Sequence, residues 1–296
     1  LPNGTRDLAQ AVAVGDDCAA LADGDGYLLF AIEGLVSDFV ETMPWFAGYS
    51  SVMVNISDVY AMGAGRLPSS MRCGAMGSTR LGRFWRVSRR HRMRMACPLS
   101  AVIATRAARS RSLPCRFSAA RTRCLSSFNA RPGDRLVMAV DLRGRFEDPY
   151  PFWNASVGAP AQRLRDDLEL LPQLAENGLC DAAKDISMAG VLGTSLMLLE
   201  CSGVGARIDL DAIPRPEHVD FERWLSAFPS CGFVLSVREE HVDEVLAVFA
   251  QRGLACAAIG AVDASREVVL TQQGDSALLW SFKDSAFIGA PVGAQA

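Results

Sequence analysis

Apolar residues along the chain fall into two spacings, one of strands and one of helices. Tyr27-Leu-Leu-Phe-Ala-Ile-Glu33 is a short continuous apolar run behind the turn Asp23-Gly-Asp-Gly26, the pattern of a buried strand. Between Trp45 and Met62 the residues Phe46, Tyr49, Met53, Ile56 and Tyr60 recur at intervals of three and four, which predicts one face of a helix. Pro44 suits its first turn, and Gly63 and Gly65 close it. Arg131-Pro-Gly-Asp134 is a turn that opens a strand over 135–140. Beyond it the pattern predicts helices over 161–178, 188–201 and 239–252. Strands are predicted near 206–210, 232–237, 255–262 and 267–271. Helices and strands alternate, so the expected class is mixed α/β, in two domains, 1–124 and 125–296.

No apolar run approaches the roughly 18 residues that cross a bilayer, so no membrane partner is expected. Nine cysteines lie without any C-x-x-C pair, which points to a reducing, cytoplasmic setting and away from zinc ribbons. Three histidines, far apart, give no histidine-rich metal centre.

Charge changes the picture more than composition does. The net charge of −3 hides a window from Asp58 to Asp134 that has no acidic residue between its ends and sixteen arginines. An arginine arm that neutralises phosphates is one reading of a run such as Arg86-Val-Ser-Arg89-Arg90-His91-Arg92-Met-Arg94. It ranks last: the window has no lysine, poor periodicity and four of the nine cysteines.

Three clusters could carry chemistry. Gly15-Asp16-Asp17-Cys18-Ala19-Ala20 sets two carboxylates in a turn where backbone can approach a ligand closely. Hard oxygens of this kind suit magnesium, with help from Glu33 or Asp58, although an Asp-Asp turn that merely caps the next element is the more economical reading of these residues alone. Asn55-Ile-Ser57-Asp58 is a polar cluster inside an apolar helix, where buried polar groups need partners or a ligand. Lys184-Asp185-Ile-Ser187-Met-Ala-Gly190 reads as a helix opening with capping residues, and a helix start is also an anion site. Walker, Rossmann and G-x-S-x-G patterns are missing from any convincing context.

Together the three clusters resemble the aminoimidazole ribonucleotide (AIR) synthetase superfamily. Its members include thiamine monophosphate kinase, selenophosphate synthetase and a hydrogenase maturation protein that dehydrates a carbamoyl thioester. The first cluster is similar to the superfamily's Gly-Asp-Asp-Ala-Ala, with Cys18 for the first alanine. The second is similar to the kinase and synthetase members, where the Asp helps to hold magnesium and ATP phosphates. The third resembles the start of a glycine-rich helix, with Ala189 where a second glycine is usual. Trp224-Leu-x-x-Phe-Pro-Ser-Cys-Gly232-Phe-Val-Leu235 is similar to a late strand of the carboxy-terminal domain. The resemblance implies two α/β domains, ATP bound mainly on the first, and a homodimer through its sheet. It also implies a metal set of Asp16, Asp17, Glu33 and Asp58. Gly15, Asn55, Ser57, Ser187 and Gly190 would line the nucleotide, with Lys184 and Asp185 at the reacting phosphate.

The superfamily's Gly-Gly-His-Thr turn is expected near residue 100, where the chain reads Ser100-Ala-Val-Ile-Ala-Thr-Arg. Shifting the reading frame over Arg94 to Ile103 permits Y-G-V-P-I-V-G-G-H, and the shifted frame rejoins the chain at Leu125. Residues 67–124 are therefore expected to be out of frame, which also explains arginine without lysine or acids. As written, they are expected to leave a sheet edge and part of a core uncovered. The leading expectation is an ATP- and magnesium-dependent enzyme that phosphorylates or activates a small polar substrate. Thiamine monophosphate kinase and a non-catalytic or defective nucleotide binder stand as alternatives.

Overall fold

The computed structural model describes residues 15–23, 26–64, 72–73, 113–121 and 124–289. Strands β1 (Ala19–Asp23), β2 (Gly26–Leu35), β3 (Arg72–Cys73) and β4 (Leu113–Arg121) form an antiparallel sheet in the order β1-β2-β4-β3. Helices α1 (Ser37–Thr42) and α2 (Pro44–Ala61) follow β2, and α2 lies against β2 and β4. The uncovered edge expected from the arginine-rich window is not what the backbone shows. β4 pairs with β2 residue for residue, from Tyr27–Arg121 to Leu35–Leu113, and β3 pairs with β4 on the far side. Ladder bonds come from backbone groups, so a poor side-chain pattern does not forbid them. Most of the remaining window lies outside the described residues.

The second sheet has seven strands in the order β14-β13-β9-β12-β5-β11-β8. They are β5 (Arg135–Val140), β8 (Ala182–Asp185), β9 (Gly205–Asp209), β11 (Gly232–Val237), β12 (Ala255–Asp263), β13 (Glu267–Gln272) and β14 (Asp275–Ser281). Its interior strand β5 is buried on both faces, Val137 and Ala139 toward one core and Leu136, Met138 and Val140 toward the other. The first core reaches into the four-stranded unit through Leu29, Val52, Ile56 and Val59, so the two sheets share a single apolar interior. A small third sheet, β10-β7-β6, is built from β6 (Arg145–Phe146), β7 (Phe152–Asn154) and β10 (Phe228–Pro229).

The helices beyond are α3 (Ala161–Leu168), α4 (Leu170–Glu176), α5 (Gly190–Ser202), α6 (Phe221–Leu225) and α7 (Val242–Ala250). The single helix expected over 161–178 is two. Pro172 has no N–H to offer the carbonyl of Leu168 and falls instead in the first turn of α4, where that donor is not required. The segment expected as a helix from 239 begins as a 3-10 turn, Glu239–His241, before α7. Helix α2 also differs from its reading as one apolar face. Fourteen of its 18 residues are buried, so it is sandwiched between elements.

Candidate functional site

Three carboxylates converge where the two sheets meet. Asp17 sits in the turn before β1, Asp58 in the last turns of α2, and Asp185 at the end of β8, with one oxygen of each within 4.8 Å of the others. Helix α2 packs on both β2 and β8, which brings Asp58 from the first unit onto Asp185 of the second. The side chain of Ser57 hydrogen-bonds Asp185, and the Asp185 N–H donates to Asp17 Oδ2 at 3.3 Å.

Burial and mutual repulsion hold protons on these groups. Asp17 is pushed up to about 7, first by burial and then by Asp185 and Asp16, against the pull of Lys184. Asp185 is pushed up to about 6 by burial and by Glu33, despite Lys184. Asp58 lies well above the usual carboxylate range through burial and the charges of Asp185, Asp17 and Glu33. Glu33, half-buried on β2, is raised by burial and by Asp17. Lys184 makes an ion pair with Asp17, and although burial disfavours its ammonium, the carboxylates around it hold the proton more firmly than usual. One oxygen of Asp58 and the carbonyl oxygen of Asn55 are buried without a hydrogen-bond partner. A carboxylate cluster with one cation and an orphaned oxygen is suited to a divalent ion.

The structure divides the Asp16-Asp17 pair between two tasks. Both oxygens of Asp16 accept hydrogen bonds from the segment after residue 124. Ser126 Oγ donates at 2.7 Å, Ser127 Oγ at 2.8 Å, and Ser127 N–H at 3.1 and 3.2 Å. Asp16 thus anchors the turn, and Asp185, expected beside the phosphate, stands in the trio with Asp17 and Asp58. Gly15 turns the chain into the pair at φ +136°. Asn55 donates to the carbonyl of Ser51 at 3.0 Å, one turn back in α2.

The third cluster is not a helix opening. Lys184 and Asp185 end strand β8, antiparallel to β11 with Asp185 opposite Phe233. The helix starts only at Gly190, whose φ is +66° and where a Cβ would fall 2.0 Å from the carbonyl oxygen of Leu225. Ser187 lies in the intervening turn, its N–H donating to Thr194 Oγ1 at 3.2 Å.

A cavity of about 400 Å³ opens beside the carboxylates. Glu33, Ser57, Asp58, Asp185 and Ser187 border it, and Phe39, Phe46, Phe152 and Phe228 wall it. Sequence reasoning missed these aromatic walls, because they come from four elements separated by up to 189 residues. The small irregular strands β7 and β10 carry two of them and lack a clear alternation to announce themselves.

Family models for the AIR synthase related protein match this chain twice, the N-terminal domain over residues 15–87 and the C-terminal domain over residues 151–273. The uncharacterized protein sll0787 of Synechocystis sp. is 38% identical over 281 residues, covering 95% of this chain and 87% of that protein. The chain belongs to the AIR synthase-related family. Its two-domain α/β fold is that of the family's solved members. Thermotoga maritima PurL complexed with ADP superposes with a TM-score of 0.71 at 18% identity, over 91% of this chain. This chain spans 45% of that PurL chain. AaThiL complexed with AMPPCP and TMP gives a TM-score of 0.63 at 17% identity, over 92% of this chain and 93% of AaThiL. Among the described residues, no helix of this AIR synthase-related chain is long and apolar enough to cross a membrane.

Proposed function

We propose that this chain binds magnesium and ATP at Asp17, Asp58 and Asp185, and that it phosphorylates or activates a small-molecule acceptor. The observation that carries this reading is the convergence of three carboxylate oxygens within 4.8 Å, drawn from both halves of the fold. The donor set fits magnesium: hard oxygens, one of them buried and unpartnered, beside a cavity open to a ligand. Related folds in PurL and AaThiL, solved with ATP and with AMPPCP, support the same choice of nucleotide. When bound, the ion would neutralise the carboxylates and offset the charge of the phosphate oxygens.

The chain's own residues supply positioning. Lys184 fixes Asp17 through their ion pair, and Asp16 ties the Asp17 turn to Ser126 and Ser127. Glu33 faces the trio from β2 and is a fourth carboxylate available to the metal or its waters. The amino end of α5, beyond Ser187 and Gly190, offers backbone N–H groups to phosphate oxygens. The four-stranded sheet is the face proposed for a homodimer, as the family resemblance implies. Six described cysteines are free, consistent with a cytoplasmic setting.

Asp58→Asn keeps the shape of the helix and removes the central charge. Calorimetric affinity for Mg-ATP is expected to fall at least about 100-fold; an unchanged affinity contradicts the assignment. Thiamine monophosphate is the second reading for the acceptor, favoured by the mutual coverage of 92% and 93% with AaThiL. A phosphate-transfer assay with that compound separates the two. The out-of-frame origin of residues 67–124 is a further proposal, resting on the arginine-only window and the permitted Gly-Gly-His stretch. It predicts that tryptic fragments of the natural protein contain acidic residues between 67 and 124; fragments matching the arginine-rich text would refute it.

A further inference from the structure

The cavity beside the carboxylates has two unlike ends. One end presents Glu33, Ser57, Asp58 and Asp185. The other is a cage of rings set edge to face: Phe39 and Phe152 have centroids 4.8 Å apart at 61°, Phe39 and Phe46 6.0 Å at 76°, and Phe152 and Phe228 5.8 Å at 73°. Tyr150 stacks behind Phe152 at 5.2 Å and 14° and donates to Asp38 Oδ2 at 2.7 Å, which braces the wall. Phe39 and Phe46 stand on α1 and α2, while Phe152 and Phe228 stand on β7 and β10, so both halves of the molecule build the cage. Among the described residues no lysine, arginine or histidine lines this cavity, although three carboxylates do. With the carboxylates metal-free, an anionic ligand body would lose its water there without gaining a counter-charge from the chain. A flat apolar ring meets edges and faces in the geometry aromatic groups prefer, in a volume typical of small-molecule sites.

We propose that this cavity seats the acceptor, and that the acceptor is an uncharged compound built on a flat apolar ring, with a hydroxyl or amine turned toward Glu33, Ser57 and Asp185. That the bound ring is the acceptor rests on the transfer reading above; that the cavity selects an uncharged ring does not.

The test uses the full chain and naphthalen-2-ylmethanol, with ribose 5-phosphate as the anionic comparator, followed by calorimetry or ligand-observed NMR. In magnesium-free buffer, naphthalen-2-ylmethanol is expected to bind with a Kd of about 0.1–1 mM, the range its size allows. Ribose 5-phosphate is expected at least about tenfold weaker. Phe152→Ala is expected to weaken the ring compound about tenfold. Met188→Trp provides a second variant for the case in which Phe152→Ala does not fold. Met188 lines the cavity and is 55% exposed, so the larger side chain narrows the mouth and leaves the core alone. Leu278→Ala, on β14 far along the sheet order, is expected to change nothing. The ring compound is also expected to bind alongside Mg-AMPPCP. Absence of saturable binding, equal or tighter binding of ribose 5-phosphate, indifference to both cavity variants, or mutual exclusion with Mg-AMPPCP would each overturn the proposal. Mutual exclusion would assign the cage to the nucleotide base. Because the ring titration needs no nucleotide, failure of Mg-ATP to bind leaves it standing, and its own failure leaves the Mg-ATP reading standing.

Discussion

At the scale of single residues, the site is a small excess of negative charge held out of water. The folded pKa values of Asp17, near 7, and Asp185, near 6, exceed the 3.8 of a free aspartate. Between about pH 4 and 7 these two groups therefore hold more protons in the folded chain than in the unfolded one. The stability these groups contribute is full below about pH 4 and is lost as the pH rises through 6 and 7. Metal-free protein is expected to melt at a falling temperature across that window, and magnesium is expected to restore the loss at pH 8. Asp58→Asn removes one of the repelling charges. It should flatten this pH dependence and, at pH 8 without magnesium, raise stability by about 1–2 kcal/mol in chemical denaturation. A variant that is less stable with an unchanged slope contradicts the crowding. Asp16 behaves in the opposite way. Its charge is met by donors from Ser126 and Ser127, so Asp16→Ala should cost about 2 kcal/mol, measured by the same denaturation. The sequence marked Asp16-Asp17 as a pair and could not divide them, because the serine donors lie 110 residues further on.

At the scale of elements, apolar runs and spacing are a good guide to the longer elements, whether one face or both meet a core. Strands β2, β5 and β11 and helix α5 lie within two residues or so of where apolar spacing places them. Spacing fails where tertiary packing decides. Strand β8 is only four residues long, Ala182–Asp185, and reads as a helix opening because its Asp and Ser look like capping residues. Its register is set by β11 and not by its own pattern. Helix α2 hides its role differently. Being buried nearly all round, it gives no polar face to compare with, and Asn55, Ser57 and Asp58 stand out only because they are polar where nothing else is. The turn between β8 and α5 makes its own prediction. With φ at +66° and a Cβ 2.0 Å from the Leu225 carbonyl oxygen, Gly190→Ala must shift α6 or unwind the start of α5. A loss of about 3 kcal/mol is expected in a denaturant melt; a change under about 0.5 kcal/mol would mean that the turn is looser than described.

At the scale of the whole molecule, the two large sheets share one core, and both the carboxylates and the ring cage draw residues from the two halves of the chain. Asp17 and Asp58 come from the first unit and Asp185 from the second, so the proposed metal set is complete only when the halves are docked. Magnesium bound there, as proposed, would stabilise the docked state by mass action and tie nucleotide binding to the integrity of the whole fold. The most direct test is an anomalous scattering experiment on crystals grown with manganese, as a stand-in for magnesium, and AMPPCP. The expected result is a manganese peak bonded to oxygens of Asp17, Asp58 and Asp185, with the nucleotide's phosphates on its open side. Manganese on another surface, or nucleotide bound away from these three carboxylates, would contradict the central claim.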